Sequence, residues 1–346
     1  MHMHKYLGTR QLGLAAAAAV ALGLATAGPA GAASHPTTPA SYSSSYGSAV
    51  VANDTLTVVG TRHADKVALR LAAGQPATLE VDFGDDGSAE RTFDRGTFTK
   101  INVFLLRGDD TFRIDQTNGA FADEALTVDG GSGNDTLNGG DGADLFFGGG
   151  GNDVVEGEKG NDTAHLGSGN DTFGWDPGDG SDIVEGDSGY DTLDFDGAAV
   201  NEVMSLSANG HRSLFLRDVG NIRMDMNNVE KLDLTALGGT DTVTVNDMTG
   251  TDFRDADIDL SGPNGGGDGA ADLVTVNGTD RADHIKVEAH GSDVNVEGLP
   301  TETHVKGAEP IDKLQVNALG GNDTVKVDDA AKAIMAVSVD LGADQH

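Results

Sequence analysis

From Gly130 to Asp194 the chain repeats one nine-residue phrase seven times: GGSGNDTLN, GGDGADLFF, GGGGNDVVE, GEKGNDTAH, LGSGNDTFG, PGDGSDIVE and GDSGYDTLD, interrupted only by Trp175 and Asp176. So short a period leaves few folds open. Each copy places an aspartate sixth (Asp135, Asp144, Asp153, Asp162, Asp171, Asp182, Asp191) and an apolar residue two places later (Leu137, Phe146, Val155, Ala164, Phe173, Val184, Leu193). Glycine adopts left-handed backbone at almost no steric cost, so the first half of each copy predicts a tight turn. The last three residues predict a short strand whose central side chain points inward. No single copy can bury that side chain, so the copies must stack on one another.

A glycine turn that ends in aspartate offers inward-facing carbonyls and a carboxylate together. Hard cations such as calcium take about six to eight oxygen ligands of these kinds. The segment resembles the hemolysin-type, or RTX, calcium-binding repeat. That resemblance implies an all-β fold, a right-handed parallel β-roll or β-helix solenoid, with two copies to a coil and calcium ions clamped between successive turns on each side. It puts Asp135, Asp153 and Asp171 in one row and Asp144, Asp162 and Asp182 in the other. Asp191 extends the first row unless the insertion at Trp175 shifts the register. Glu158 and Lys159 inside the fourth turn, Leu166 and Pro177 in place of leading glycines, and the small Ala164 mark the copies expected to be weaker.

Charge agrees with this reading. The chain holds 56 acidic against 22 basic residues, and the block from Gly130 to Asp196 holds 16 acids against the single base Lys159. Packing such charge without counterions is unfavourable, so folding and cation binding should be coupled. The same sign excludes nucleic acid as a natural partner.

Lys5 and Arg10 precede an apolar run from Leu12 to Ala25, followed by Gly28, Pro29 and the small residues Ala30 to Ala33. This predicts a secretory signal peptide over residues 1–33 and a secreted, extracellular protein. The run is shorter and less apolar than the roughly 20 residues a membrane span requires, so no integral membrane association is expected. The chain has no cysteine, so disulfides cannot staple it. Residues 34–50, rich in serine and containing Pro36 and Pro39, read as a flexible linker.

Beyond the linker lies a longer repeat. FTKINVFLLRGDDTFRI at 98–114, VEKLDLTALGGTDTVTV at 229–245 and IDKLQVNALGGNDTVKV at 311–327 share one strand–turn–strand template, and GTRHADKVAL at 60–69 matches GTDRADHIKV at 278–287. The expected division is an N-terminal β-repeat module at 51–125, the nonapeptide roll at 126–197 and C-terminal β-rich modules at 198–346. The last of these stops at VSVDLGADQH, either as a truncated copy or as a cap. Asp110, Asp241 and Asp323 are read as isolated turns, each aspartate capping nearby amides, with calcium binding as the alternative. VDFGDDG at 81–87 reads as a hairpin turn and Arg107-Gly108-Asp109 as a coincidental adhesion tripeptide. His63, His284 and His304 are expected at the surface.

Familiar catalytic motifs are missing: there is no HExxH, no GxSxG, no GxxxxGK[ST] and no cysteine nucleophile. The expected function is a non-enzymatic, calcium-binding structural or adhesive extracellular module whose partner is a cell-surface or matrix polysaccharide or protein. The alternative is a secreted β-helix enzyme acting on polysaccharide, of epimerase or lyase type, stabilised by calcium.

Overall fold

The computed structural model describes residues 47–342. The expected signal peptide, most of the expected linker and the last four residues of VSVDLGADQH lie outside that range. Its regular structure is almost wholly strand, with a single α-helix among the described residues at Asp329–Ile334. It divides into two compact units, one ending at Gly167 and one starting at Ser168.

In the first unit one sheet places Ser48–Ala52 antiparallel to Thr55–Val59, then adds Lys100–Phe104, Ala125–Ser132 and Leu145–Gly150 in parallel. The other joins Arg91–Asp94, Gln75–Phe83 and Lys66–Ala72 as an antiparallel meander and continues in parallel through Thr111–Asp115, Thr136–Asn138 and Val154–Glu156. The chain alternates between sheets, so inward residues fall into columns. Val58, Val103, Val128 and Phe146 are register partners in one sheet, and Val67, Phe112, Leu137 and Val155 in the other. All eight are buried. Each such side chain contributes roughly 1.5–3 kcal/mol, but only when the next coil covers it.

The second unit repeats the plan. One of its sheets runs in parallel from Thr172–Trp175 through Thr192–Asp196, Lys231–Thr235 and Asp255–Asp259 to Glu302–Lys306. Its other sheet carries Val203–Asn209, Thr242–Val245, Leu273–Asn277, Lys313–Asn317 and Ala336–Asp340 in parallel. The insertion at Trp175 lengthens a strand: Trp175 pairs with Phe195, and their rings stack at 4.1 Å.

Two further antiparallel meanders interrupt this unit, at Val203–Asn209/Arg212–Arg217/Ile222–Asn227 and His284–His290/Asp293–Glu297/Glu302–Lys306. Together with the meander at Lys66–Ala72 they give three copies of one excursion. The hairpin expected at 81–87 is present, joining Gln75–Phe83 to Arg91–Asp94. Asp82 accepts the amides of Asp86 and Gly87 and pairs with Arg70 at 2.7 Å.

Candidate metal centre

The sixth-position aspartate of every nonapeptide is buried, although carboxylates seldom are without a partner. The reason is a ladder. In the first unit the Asp135 N–H donates to Asp153 Oδ1 at 2.8 Å, and the Asp144 N–H donates to Asp162 Oδ1 at 2.7 Å. In the second unit the Asp171 N–H donates to Asp191 Oδ1 at 2.9 Å. Within each unit the aspartates therefore align from coil to coil, and Asp191 stays aligned with Asp171 across the insertion at Trp175. Asp182 is buried as well, and its carbonyl accepts the amide of Asp225.

The ladder consumes one carboxylate oxygen and leaves the other to the turn. Asp135 Oδ2 and Asp191 Oδ2 are buried with no hydrogen-bond partner. A Cβ built on Gly130, the first residue of its turn, would lie 2.5 Å from Asp135 Oδ2 and 2.7 Å from the Gly148 carbonyl oxygen. On Gly148 it would lie 2.6 Å from Asp153 Oδ2 and 2.4 Å from the Leu166 carbonyl oxygen, and Gly139 is crowded in the same way by Asp144 Oδ2 and the Gly157 carbonyl. At these three positions a side chain would meet both a carboxylate oxygen and the next coil's carbonyl, which accounts for the glycine there. The second and fourth turn positions have left-handed backbone, with φ of 99° and 130° at Gly131 and Gly133 and of 110° and 132° at Gly149 and Gly151. Glu158 and Asp187 take the second position at φ of 63° and 67°, which strains a residue with a side chain.

Burial raises the proton affinity of these groups. Asp135 and Asp191 are pushed up to about 7, and Asp144 and Asp153 to about 6, first by desolvation, with neighbouring acids adding to the rise at Asp135 and Asp191. Buried carboxylate oxygens facing carbonyls, in turns whose one basic side chain is the exposed Lys159, form a donor set of hard oxygens. That set fits calcium.

The ladder also runs past the nonapeptides, which corrects the reading of Asp110, Asp241 and Asp323 as isolated caps. The Asp65 N–H donates to Asp110 Oδ1 at 2.6 Å, and the Asp110 N–H to Asp135 Oδ1 at 2.8 Å. In the second unit Glu202, Asp241, Asp272 and Asp312 are linked in the same way, as are Asp283 and Asp323. Sequence reasoning missed Asp65, Glu202, Asp272, Asp283 and Asp312. Their signal is a glycine five residues earlier, at Gly60, Gly197, Gly267, Gly278 and Gly307. GAAVNE at 197–202 is the third relative of GTRHAD and GTDRAD, disguised by glutamate in place of aspartate.

These three turns, each leading into a meander, close their own carboxylates. Asp65 accepts from the Thr61 amide and hydroxyl, Asp283 accepts from those of Thr279, and Glu202 pairs with the buried Arg217, whose guanidinium also lies 5.1 Å from the Trp175 ring centre. Of the three histidines, His63 and His284 are exposed and His304 is half-buried. The Arg107-Gly108-Asp109 tripeptide is part of a ladder turn, with Asp109 accepting the Asn134 amide.

A family model described as the RTX calcium-binding nonapeptide repeat matches residues 127–155, 139–173 and 178–194. Among curated proteins none matches this chain. Among solved structures the extracellular lipase LipA from Serratia marcescens is similar at 14% identity and a TM-score of 0.20, covering 63% of this chain and 43% of the lipase. The chain thus spans less than half of that enzyme, and so loose an overlay transfers nothing to it. The repeat match, the parallel coils and the buried turn aspartates agree: between residues 127 and 194 the chain carries RTX calcium-binding nonapeptide repeats, folded as coils of parallel strands.

Proposed function

We propose that Asp135, Asp144, Asp153, Asp162, Asp171, Asp182 and Asp191 hold several calcium ions, and that the chain is an exported structural or adhesive module that calcium makes rigid. One observation carries this reading: buried carboxylates whose second oxygens converge on the carbonyls of the next coil. Bound calcium would supply the countercharge there. The turns supply the oxygens, and the ladder holds each carboxylate in place from one coil to the next. Export is supported by the charged-then-apolar pattern of Lys5 to Ala33, and no helix among the described residues is long and apolar enough to cross a membrane. The formal charge of −34 suits divalent bridging to a cell-surface or matrix polysaccharide or protein. Calorimetric titration of the full chain with calcium tests the metal reading: saturable binding of several ions is expected, and no binding at millimolar calcium would end it.

For the enzyme reading one cluster in the second unit brings Asp255, Glu302 and His304 together on neighbouring strands, with the Tyr190 hydroxyl donating to Asp255. Burial and the Asp255 carboxylate push the Tyr190 phenol above its ordinary range, the opposite of what a base abstracting a sugar proton needs. Screening the chain and a His304→Ala variant against uronate polysaccharides tests that reading. Turnover lost in the variant would establish it over the structural one.

A further inference from the structure

We propose that the turn from Leu105 to Asp110 is a calcium site, so that the row of ions starts one coil before the nonapeptide repeats. This rests on the calcium reading of those repeats and extends it to a turn outside the match that begins at residue 127.

Backbone conformation is the first support. Leu106 and Gly108 occupy the second and fourth turn positions with φ of 84° and 132°, as Gly131 and Gly133 do in the first nonapeptide. Left-handed backbone at a leucine is strained by roughly 1–3 kcal/mol and persists only where the surroundings impose it.

Carbonyl placement is the second. The Leu106 oxygen would lie 2.1 Å from a Cβ on Gly131, as the Gly131 oxygen would from one on Gly149. The Gly108 oxygen approaches Gly133 at 1.6 Å by the same measure, and the Gly133 oxygen approaches Gly151 at 2.1 Å. Leu106 and Gly108 therefore present the same two carbonyls to the next coil that a nonapeptide turn presents.

The carboxylate is the third. Asp110 is 1% exposed, its Oδ1 accepts the Asp65 amide, and its Oδ2 is buried without a hydrogen-bond partner. Asp65, one coil earlier in the row, is closed by Thr61 and needs no cation. Leucine also stands first in one matched nonapeptide, at Leu166.

The test is calorimetric calcium stoichiometry on the full chain and on Asp110→Asn and Asp65→Asn variants, with circular dichroism at saturating calcium to establish folding. Asparagine keeps the Oδ1 acceptor and removes the charge. One ion fewer per chain for D110N, with D65N equal to the parent, is the expected result. Full stoichiometry in D110N, or the same loss in D65N, would overturn the proposal. Should D110N not fold, Asp110→Glu retains the charge while displacing the oxygens: one site weakened roughly tenfold is expected, and an unchanged isotherm overturns the proposal. A parent chain that binds no calcium would instead refute the nonapeptide reading itself.

Discussion

Gly148 shows how little freedom a single position in these turns retains. A methyl group there would meet the Leu166 carbonyl and Asp153 Oδ2 at 2.4 and 2.6 Å, and a backbone carbonyl cannot swing aside as a flexible side chain can. Gly148→Ala should therefore cost on the order of 2 kcal/mol or more, read as a lower denaturation midpoint in saturating calcium, and an unchanged midpoint would refute the cradle. Asp135 carries two separable duties. Asp135→Ala removes the acceptor of the buried Asp110 amide, which should cost about 1–3 kcal/mol even without metal. Asp135→Asn can keep that acceptor and lose only the charge. Alanine should lower both fold stability in chelator and calcium binding, whereas asparagine should lower chiefly the binding; denaturant unfolding in chelator alongside calorimetry separates them.

At the scale of the element, the meanders show how a solenoid tolerates strands that leave its coil. Each begins at a turn whose acid is closed by its own donor, and at Glu202 that donor is a guanidinium. Arg217→Ala would leave a buried carboxylate uncompensated, at a cost of about 3–5 kcal/mol. Chemical denaturation should show the loss even in saturating calcium, with Glu202→Gln restoring part of it in the double variant. The nonapeptide coils were legible because their period is fixed and Asp and the apolar residue recur at constant offset: Leu137, Phe146 and Val155 all lie where the pattern puts them, fully buried. The pairings of Asp135 with Asp153, Asp144 with Asp162 and Asp171 with Asp191 were legible for the same reason. What escaped was non-local. Asp110 bonds with Asp135 25 residues on, and Glu202 with Asp241 39 residues on, so hairpins of variable length hide the coil period. The Arg217 pairing left no local signal at all, because only the antiparallel return of Arg212–Arg217 beside Val203–Asn209 brings it to Glu202.

For the whole molecule, acid and metal should act as alternatives. Burial raises Asp110, Asp135, Asp191 and Asp241 to about 7 and Asp144, Asp153 and Asp272 to about 6, against an ordinary 3.8. Without metal, the folded chain then binds more protons than the unfolded chain between about pH 4 and 7. The stability these groups contribute is complete below the unfolded value and is lost as pH rises through the folded values. In chelator the chain should therefore be more resistant to denaturant at pH 5 than at pH 7.5; the reverse order would mean that the rows are not what limits the metal-free fold. Calcium needs the deprotonated groups, so its affinity should fall as pH drops through 7 to 6, and binding near neutrality should release protons.

The most direct test is far-ultraviolet circular dichroism of the full chain at neutral pH, first in chelator and then through a calcium titration. Charged, buried rows without countercharge should leave the nonapeptide coils largely unformed, and calcium should raise the β signal in a saturable transition that magnesium at equal concentration reproduces poorly, given its preference for smaller octahedral sites. A spectrum already fully β in chelator at pH 7.5 and unmoved by millimolar calcium would contradict the coupling of fold to metal.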